Sequence, residues 1–307
     1  MASLSTTFWP RTDRRKLERW VFVSGSYRLN QLKARWNICR ALGVFLILAP
    51  TVFGEDATVS TAVLLDVNTL YQEHAIDLKL AGSETFAEFR YRLLSPAVST
   101  SGAKYPLVIF LHGAGERGQD NRKQLKYLPT WLAEPAAREK YPCFVLAPQC
   151  RMDERWVDIS WADKKSTPQA PRPTIDLAAV IAALDDVLNR NPVDPNRIYL
   201  TGLSMGGYGC WDLGARIPDR FAALLPICGG GDERTAARFT TLPIWCFHGD
   251  ADQAVPVERS RSMIEAIKAA GGTPQYSELP KVGHDSWTPA YGDPAVLDWL
   301  FSQKRSR

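Results

Sequence analysis

The sequence predicts an α/β fold with a mostly parallel central sheet and helices on both faces. Two observations carry that prediction. Strand-like apolar runs alternate with amphipathic helical stretches between residues 89 and 303, as they must when parallel strands are joined by helical crossovers. Several of the runs, Pro106–Leu111 and Phe144–Ala147 among them, are continuously apolar. A strand covered on both faces has that look, whereas a half-exposed one alternates.

The elements follow in order. Phe89-Arg-Tyr-Arg-Leu-Leu94 alternates polar and apolar residues and reads as a half-buried strand. Pro106–Leu111 is a buried strand, followed by the loop His112-Gly-Ala-Gly-Glu-Arg-Gly118, where Glu116 and Arg117 read as an ion pair holding the loop. A helix over Thr130–Lys140 leads to the strand Phe144–Ala147. Residues 150–173 are polar, rich in Pro and Trp and without period, so they read as a long surface loop. With Trp156 and Trp161 it is a candidate cap. Thr174 suits the N-cap of a helix over Ile175–Asn191, and Asp176 suits its first turn. The strand Ile198–Thr201 ends at Gly202, and a helix covers 205–216. Strands Ala222–Ile227 and Pro243–Phe247, a helix over Val257–Ala270, the strand Gln275–Leu279 and a closing helix Pro294–Gln303 complete the pattern. No internal repeat or long linker divides residues 55–307, which are expected to form one domain.

Composition narrows the function. The chain has 307 residues, 45% hydrophobic and 23% charged, which excludes collagen-like, coiled-coil and wholly disordered readings. Its formal charge of +4 is local: residues 1–54 hold 9 Lys+Arg against 2 Asp+Glu, leaving 28 against 31 for the rest. A nucleic-acid binder carries its basic patch on the folded body. This body is slightly acidic, so no nucleic-acid partner is expected.

The N-terminus reads as an export signal. Arg28, Lys33, Arg35 and Arg40 precede the apolar run Ala41–Ala49, and small residues lead to Gly54 before Glu55-Asp56. That is the plan of a secretory signal peptide cleaved near Gly54, and the run falls short of the roughly 20 residues that span a bilayer. The alternative is an uncleaved segment that anchors the protein. Residues 1–30 exceed what a signal needs, and a start codon near Val21, Val23 or Leu32 would account for the surplus. The expected location is periplasmic or secreted, with no stable membrane span after cleavage. Of six cysteines, Cys39 would leave with the signal. Cys143, Cys228 and Cys246 lie in apolar runs and read as buried small hydrophobes, and the absence of any CxxC pair gives no metal or redox motif. Export would permit a disulfide, with no pair named by the sequence.

The chemistry lies at four loop positions. Gly202-Leu-Ser-Met-Gly206 is a G-x-S-x-G match between a strand and a helix, the setting of a nucleophile elbow. Flanking glycines relieve crowding at the sharp turn that exposes the hydroxyl of Ser204. A serine hydroxyl needs a base, and the chain has four histidines: His74, His112, His248 and His284. In this architecture the order is serine, acid, histidine. His284 follows the last strand and is the expected base, while His248 reads as a strand-end residue that shapes its loop. Asp250 and Asp252 both qualify as the acid. Asp252 is preferred, because Asp250 stands nearer the turn and can bond local amides. Gly113 and Gly115 let the backbone approach a substrate, so the amides of Ala114 and Met205 are the candidate oxyanion hole. Tyr208 and Trp287 are candidate pocket residues, although Tyr208 and Trp211 also have core spacing.

The segments Leu111-His-Gly-Ala-Gly-Glu-Arg-Gly118, Thr201-Gly-Leu-Ser-Met-Gly-Gly207, Phe247-His-Gly-Asp-Ala-Asp252 and Gly283-His284 resemble the α/β-hydrolase superfamily. Within it the chain is similar to the phospholipase/carboxylesterase and dienelactone-hydrolase-like branch, including bacterial predicted peptidases, over roughly residues 88–303. The resemblance implies Asp252 as the acid and Ala114 and Met205 as the oxyanion donors. It also implies a serine hydrolase of small-molecule or glycan-linked carboxylic esters, with no cofactor and no metal. A peptidase or amidase of the prolyl-oligopeptidase type is the alternative, but no propeller domain precedes the hydrolase body. A silent binding protein on the same scaffold is the alternative from another class.

Overall fold

The computed structural model describes residues 66–79 and 84–305. The signal peptide, the start site, Cys39 and the Gly54 cleavage all lie outside the described residues.

The elements in chain order are α1 (Val67–Leu70), β1 (Tyr71–Lys79), β2 (Phe86–Leu94), β3 (Tyr105–Leu111), α2 (Leu128–Ala133), α3 (Pro135–Lys140), β4 (Phe144–Pro148) and α4 (Ile175–Arg190). They continue with β5 (Val193–Leu203), α5 (Met205–Arg216), β6 (Ala223–Ile227), β7 (Trp245–Gly249), α6 (Glu258–Ala269), β8 (Gln275–Leu279), α7 (Trp287–Gly292) and α8 (Pro294–Ser302). The eight strands form one sheet in the order β1-β2-β4-β3-β5-β6-β7-β8. Pairings of β2 with β1 and β4 are antiparallel and all others are parallel. This is the mostly parallel sheet expected from the alternation of runs.

The continuous apolar runs divide their side chains between two faces. Leu107, Ile109 and Leu111 of β3 enter one buried cluster with Leu146 and Leu200, while Val108 and Phe110 enter the other with Val145 and Tyr199. Successive side chains of a strand point oppositely, so only an unbroken apolar sequence can fill both layers. On the first face, α4 packs Leu177, Val180, Leu184 and Val187 at helical spacing. Burying each such leucine contributes about 1.5–3 kcal/mol. Thr174 caps this helix by accepting from the Leu177 amide at 3.1 Å.

Four features depart from the sequence reading. The expected helix over 130–140 is two short helices, because Pro135 forces Glu134 into an extended conformation with ψ 141°. Strand β1 was not expected: it is an edge strand with a largely exposed burial pattern, held by pairing with β2. Helix α7 has six residues, too few to show a period. Strand β5 begins at Val193, five residues before its apolar run.

The sheet puts four loops at one end. Leu111 of β3 pairs with Gly202 of β5, and Leu203 pairs with Ile227 of β6. The loops leaving β3, β5, β7 and β8 therefore leave the carboxyl ends of neighbouring parallel strands, where open α/β sheets present their sites.

Candidate active site

Ser204 sits between β5 and α5 with φ 54° and ψ −118°, a region L-residues seldom adopt. The surroundings hold it there. Its amide donates to the Ile227 carbonyl at 3.0 Å, and its carbonyl accepts from the Tyr208 amide at 3.1 Å. The turn is tight enough that a Cβ on Gly202 would stand 2.6 Å from the Leu111 carbonyl oxygen, and a Cβ on Gly206 would overlap that oxygen outright. Both glycines of the motif are therefore required by backbone approach.

His284 lies beyond β8, with Nε2 2.9 Å from Ser204 Oγ and Nδ1 2.7 Å from Asp252 Oδ2. A neutral ring facing a carboxylate through Nδ1 carries its proton there, leaving the Nε2 lone pair toward the hydroxyl. Asp252 is oriented by its own turn: Oδ1 accepts from the Ala254 and Val255 amides at 2.8 and 3.0 Å. Asp250 is exposed, and its Oδ1 accepts from the Lys281 amide at 2.6 Å. That bond crosses to the turn preceding His284. A Cβ on Gly249 would overlap the Val282 carbonyl, so the loops bearing Asp252 and His284 approach through a glycine.

Asp252 has a second imidazole beside it. His248 is fully buried, with Nε2 3.2 Å from Asp252 Oδ2 and 3.1 Å from the Val255 carbonyl, and Nδ1 2.8 Å from Ser260 Oγ. Two acceptors face Nε2, so Nε2 carries a hydrogen. Burial alone would raise the Asp252 carboxyl. Hydrogen bonds from His248, His284, Val255 and Ala254 outweigh it and hold the group well below the usual carboxylate range. The sequence reading of His248 as a loop-shaping residue missed this contact. The spacing His248-Gly-Asp-Ala-Asp252 carried the signal.

The loop after β3 places Ala114 first in a 3-10 turn over Ala114–Glu116, while Met205 is first in α5. Amides at such positions have no acceptor within their own helix. The peptide before Ala114 is locked by His112, whose buried Nδ1 lies 2.6 Å from the Gly113 carbonyl and whose Nε2 accepts from the Cys150 amide at 2.9 Å. A trans peptide points its N–H opposite its carbonyl, so this bond turns the Ala114 N–H away from His112. Burial lowers the His112 pKa to about 4, with the Gly113 carbonyl opposing the shift. The expected Glu116–Arg117 ion pair is not formed. Lys126 lies 3.9 Å from Glu116, while Arg117 donates to the Ala114 carbonyl at 2.9 Å and the Glu154 carbonyl at 3.2 Å. Adjacent residues in a helical turn point to different sides.

Of the two expected pocket residues, Trp287 stands edge-on to the His284 ring at 5.3 Å between centroids. Tyr127, which no sequence pattern marked, meets Trp287 at 5.6 Å and has φ 63° and ψ −123°, nearly the backbone of Ser204. Tyr208 is buried, with its hydroxyl donating to the Trp161 carbonyl at 3.1 Å beneath the 150–173 loop. That loop is tied to the β3 loop by Trp156, whose Nε1 donates to the His112 carbonyl at 3.0 Å. Metal-ligand atoms of Cys228, Asp252 and His284 lie within 4.8 Å of one another. The Asp252 and His284 donors are already engaged with each other, and burial pushes the Cys228 thiol far up. The five described cysteines are free and buried.

Known proteins fit this architecture. The phospholipase/carboxylesterase family model matches residues 95–293. A thermostable esterase of known structure is 40% identical with a TM-score of 0.70, over 78% of this chain and 64% of that one; the chain thus spans under two thirds of that esterase. A protein named probable inactive carboxylesterase from Oryza sativa subsp. japonica is 24% identical over 207 residues, 62% of this chain and 82% of that protein. Lysophospholipase-like protein 1 of Mus musculus is 25% identical over 201 residues, 61% of this chain and 83% of that protein. The sheet, the matched span and these relatives agree: the chain belongs to the phospholipase/carboxylesterase family of α/β-hydrolases.

Proposed function

We propose that the protein is a serine hydrolase that cleaves carboxylic esters through an acyl-enzyme. One observation carries the reading: the unbroken chain of hydrogen bonds from Ser204 through His284 to Asp252. Ser204 Oγ attacks the ester carbonyl as His284 Nε2 takes its proton, and Asp252 steadies the imidazolium that forms. The amides of Ala114 and Met205 hold the developing oxyanion. His284 then returns the proton to the leaving alcohol. Water attacks the acyl-serine with the same histidine as base, releasing the acid and restoring Ser204. The 40%-identical thermostable esterase supports ester over amide cleavage. The substrates are small-molecule or glycan-linked esters, with Trp287 and Tyr127 as an aromatic wall beside the histidine. The leader supports a periplasmic or secreted enzyme, and no helix among the described residues is long and apolar enough to cross a membrane.

Hydrolysis of p-nitrophenyl acetate and butyrate tests the proposal, with Ser204→Ala beside the wild type. Turnover lost in the variant is expected. Equal turnover in both, or none in the wild type, would move the reading to amide substrates or to a silent binding role.

A further inference from the structure

The candidate oxyanion donors and the aromatic pair beside the histidine belong to opposite faces of the sheet. Met205 is part of the first buried cluster and Ala114 packs against it, whereas Tyr127 and Trp287 pack against the second. His284 Nε2 lies 2.9 Å from Ser204 Oγ, and its ring meets the Trp287 indole at 5.3 Å and 89°.

The chemistry proposed for Ser204 sends the parts of an ester in different directions. In the tetrahedral intermediate the former carbonyl oxygen turns to the amides of Ala114 and Met205, toward the first face. The bond from carbon to the alcohol oxygen then breaks, and that oxygen takes the proton that Nε2 accepted from Oγ. To receive it, the alcohol oxygen must come within about 3 Å of Nε2. Its substituent is thereby brought beside the histidine, on the side of Trp287, while the acyl chain occupies the remaining direction at that carbon.

A ligand at the triad can touch this wall. Tyr127 and Trp287 are partly exposed, as are Ser204 and His284, whose side chain is 28% exposed. Trp287 Nε1 is buried, so the indole presents ring carbon. Tyr127 meets Trp287 at 5.6 Å and 60°, and its carbonyl accepts from the Trp131 amide at 3.0 Å, which holds it at φ 63°. The neighbouring Asp285 carboxylate is engaged by Thr288, and Glu116 is buried beside Lys126. A sugar needs many hydrogen-bond partners, whereas a flat apolar ring needs the two angled aromatic surfaces that this wall offers.

On the serine-esterase reading, we infer that Trp287 and Tyr127 form the alcohol-side subsite, which takes esters whose leaving alcohol carries an aromatic ring. The wall selects the alcohol and not the acid.

Benzyl acetate and methyl phenylacetate are isomers that carry the same phenyl ring on the alcohol and on the acid respectively. Initial-rate kinetics on both, with wild type, Trp287→Ala and Tyr127→Leu, test the assignment, and p-nitrophenyl acetate reports the esterase activity itself. Trp287→Ala should lose at least about tenfold more kcat/KM toward benzyl acetate than toward methyl phenylacetate. Tyr127→Leu should shift the ratio the same way, and it decides the matter if the tryptophan variant fails to fold. Equal losses on the two isomers would overturn the inference. A larger loss on methyl phenylacetate would also overturn it, by placing the acid against the wall. Wild-type turnover of p-nitrophenyl acetate without turnover of benzyl acetate would overturn it while the serine-esterase reading stood. No turnover of any ester would overturn both.

Discussion

His112 is wholly buried, and its neutral form is built into the β3 loop: one ring nitrogen meets the Gly113 carbonyl and the other accepts the Cys150 amide. A protonated ring has no lone pair for that amide, so charging it breaks a bond and buries a cation together. Burial is the main cause of the lowered pKa of about 4 against the ordinary 6.5, and Arg117 pushes the same way. Above 6.5 the folded and unfolded rings are both neutral, and stability from this group is fully present. As pH falls from 6.5 to about 4 the unfolded chain takes the proton first, so stability is lost through that window. At about 1.4 kcal/mol per tenfold in proton affinity, the loss is about 3 kcal/mol between pH 7 and pH 4. Urea unfolding at half-unit intervals of pH measures it. In His112→Asn an amide can still donate to Gly113 but does not titrate, so the slope should flatten. Leaving the Cys150 amide unpartnered should lower stability at pH 7 by about 1–3 kcal/mol. His74, also lowered by burial, titrates in both proteins and cancels in the comparison. Parallel pH profiles for wild type and variant would refute the reasoning.

Other consequences follow from the same geometry. Asp252→Asn should lower kcat toward p-nitrophenyl esters by about 10⁴-fold with the fold intact, because an amide at that position favours the wrong tautomer of His284; a loss under about tenfold would count against the acid role. Gly206→Ala should cost more than about 4 kcal/mol or prevent folding, since its methyl would overlap the Leu111 carbonyl; a urea midpoint near the wild type would contradict the tight elbow. The five described cysteines should resist a thiol-specific disulfide reagent in the native protein and react after unfolding, because burial pushes their thiols up; one native cysteine reacting within seconds would place it at the surface. Trp287→Ala should raise KM for aryl esters more than for acetate esters of small alcohols, which paired kinetics on the two substrate classes would show.

The fold class was legible because its cause is local. Filling two apolar layers demands unbroken runs in β3 and β4, and helical crossovers demand amphipathic segments such as α4. The elbow was legible for a related reason: a backbone turn this close to Leu111 leaves glycine at 202 and 206, and that mark survives in the sequence. Chain order and turn chemistry pointed to His284 and Asp252, and the structure puts His284 within hydrogen-bond distance of Ser204 and Asp252 within hydrogen-bond distance of His284. What the sequence left unread depends on partners far along the chain. Strand β1 exists by pairing with β2, its own residues burying little. Tyr127 reaches Trp287 across 160 positions of sequence through a strained backbone that no local pattern requires. Arg259 meets carbonyls of a loop more than 90 positions away. Periodicity and glycine placement record what a segment needs from its own backbone. Which charges pair, and which buried donors are left without a partner, is decided only when distant segments are packed against one another.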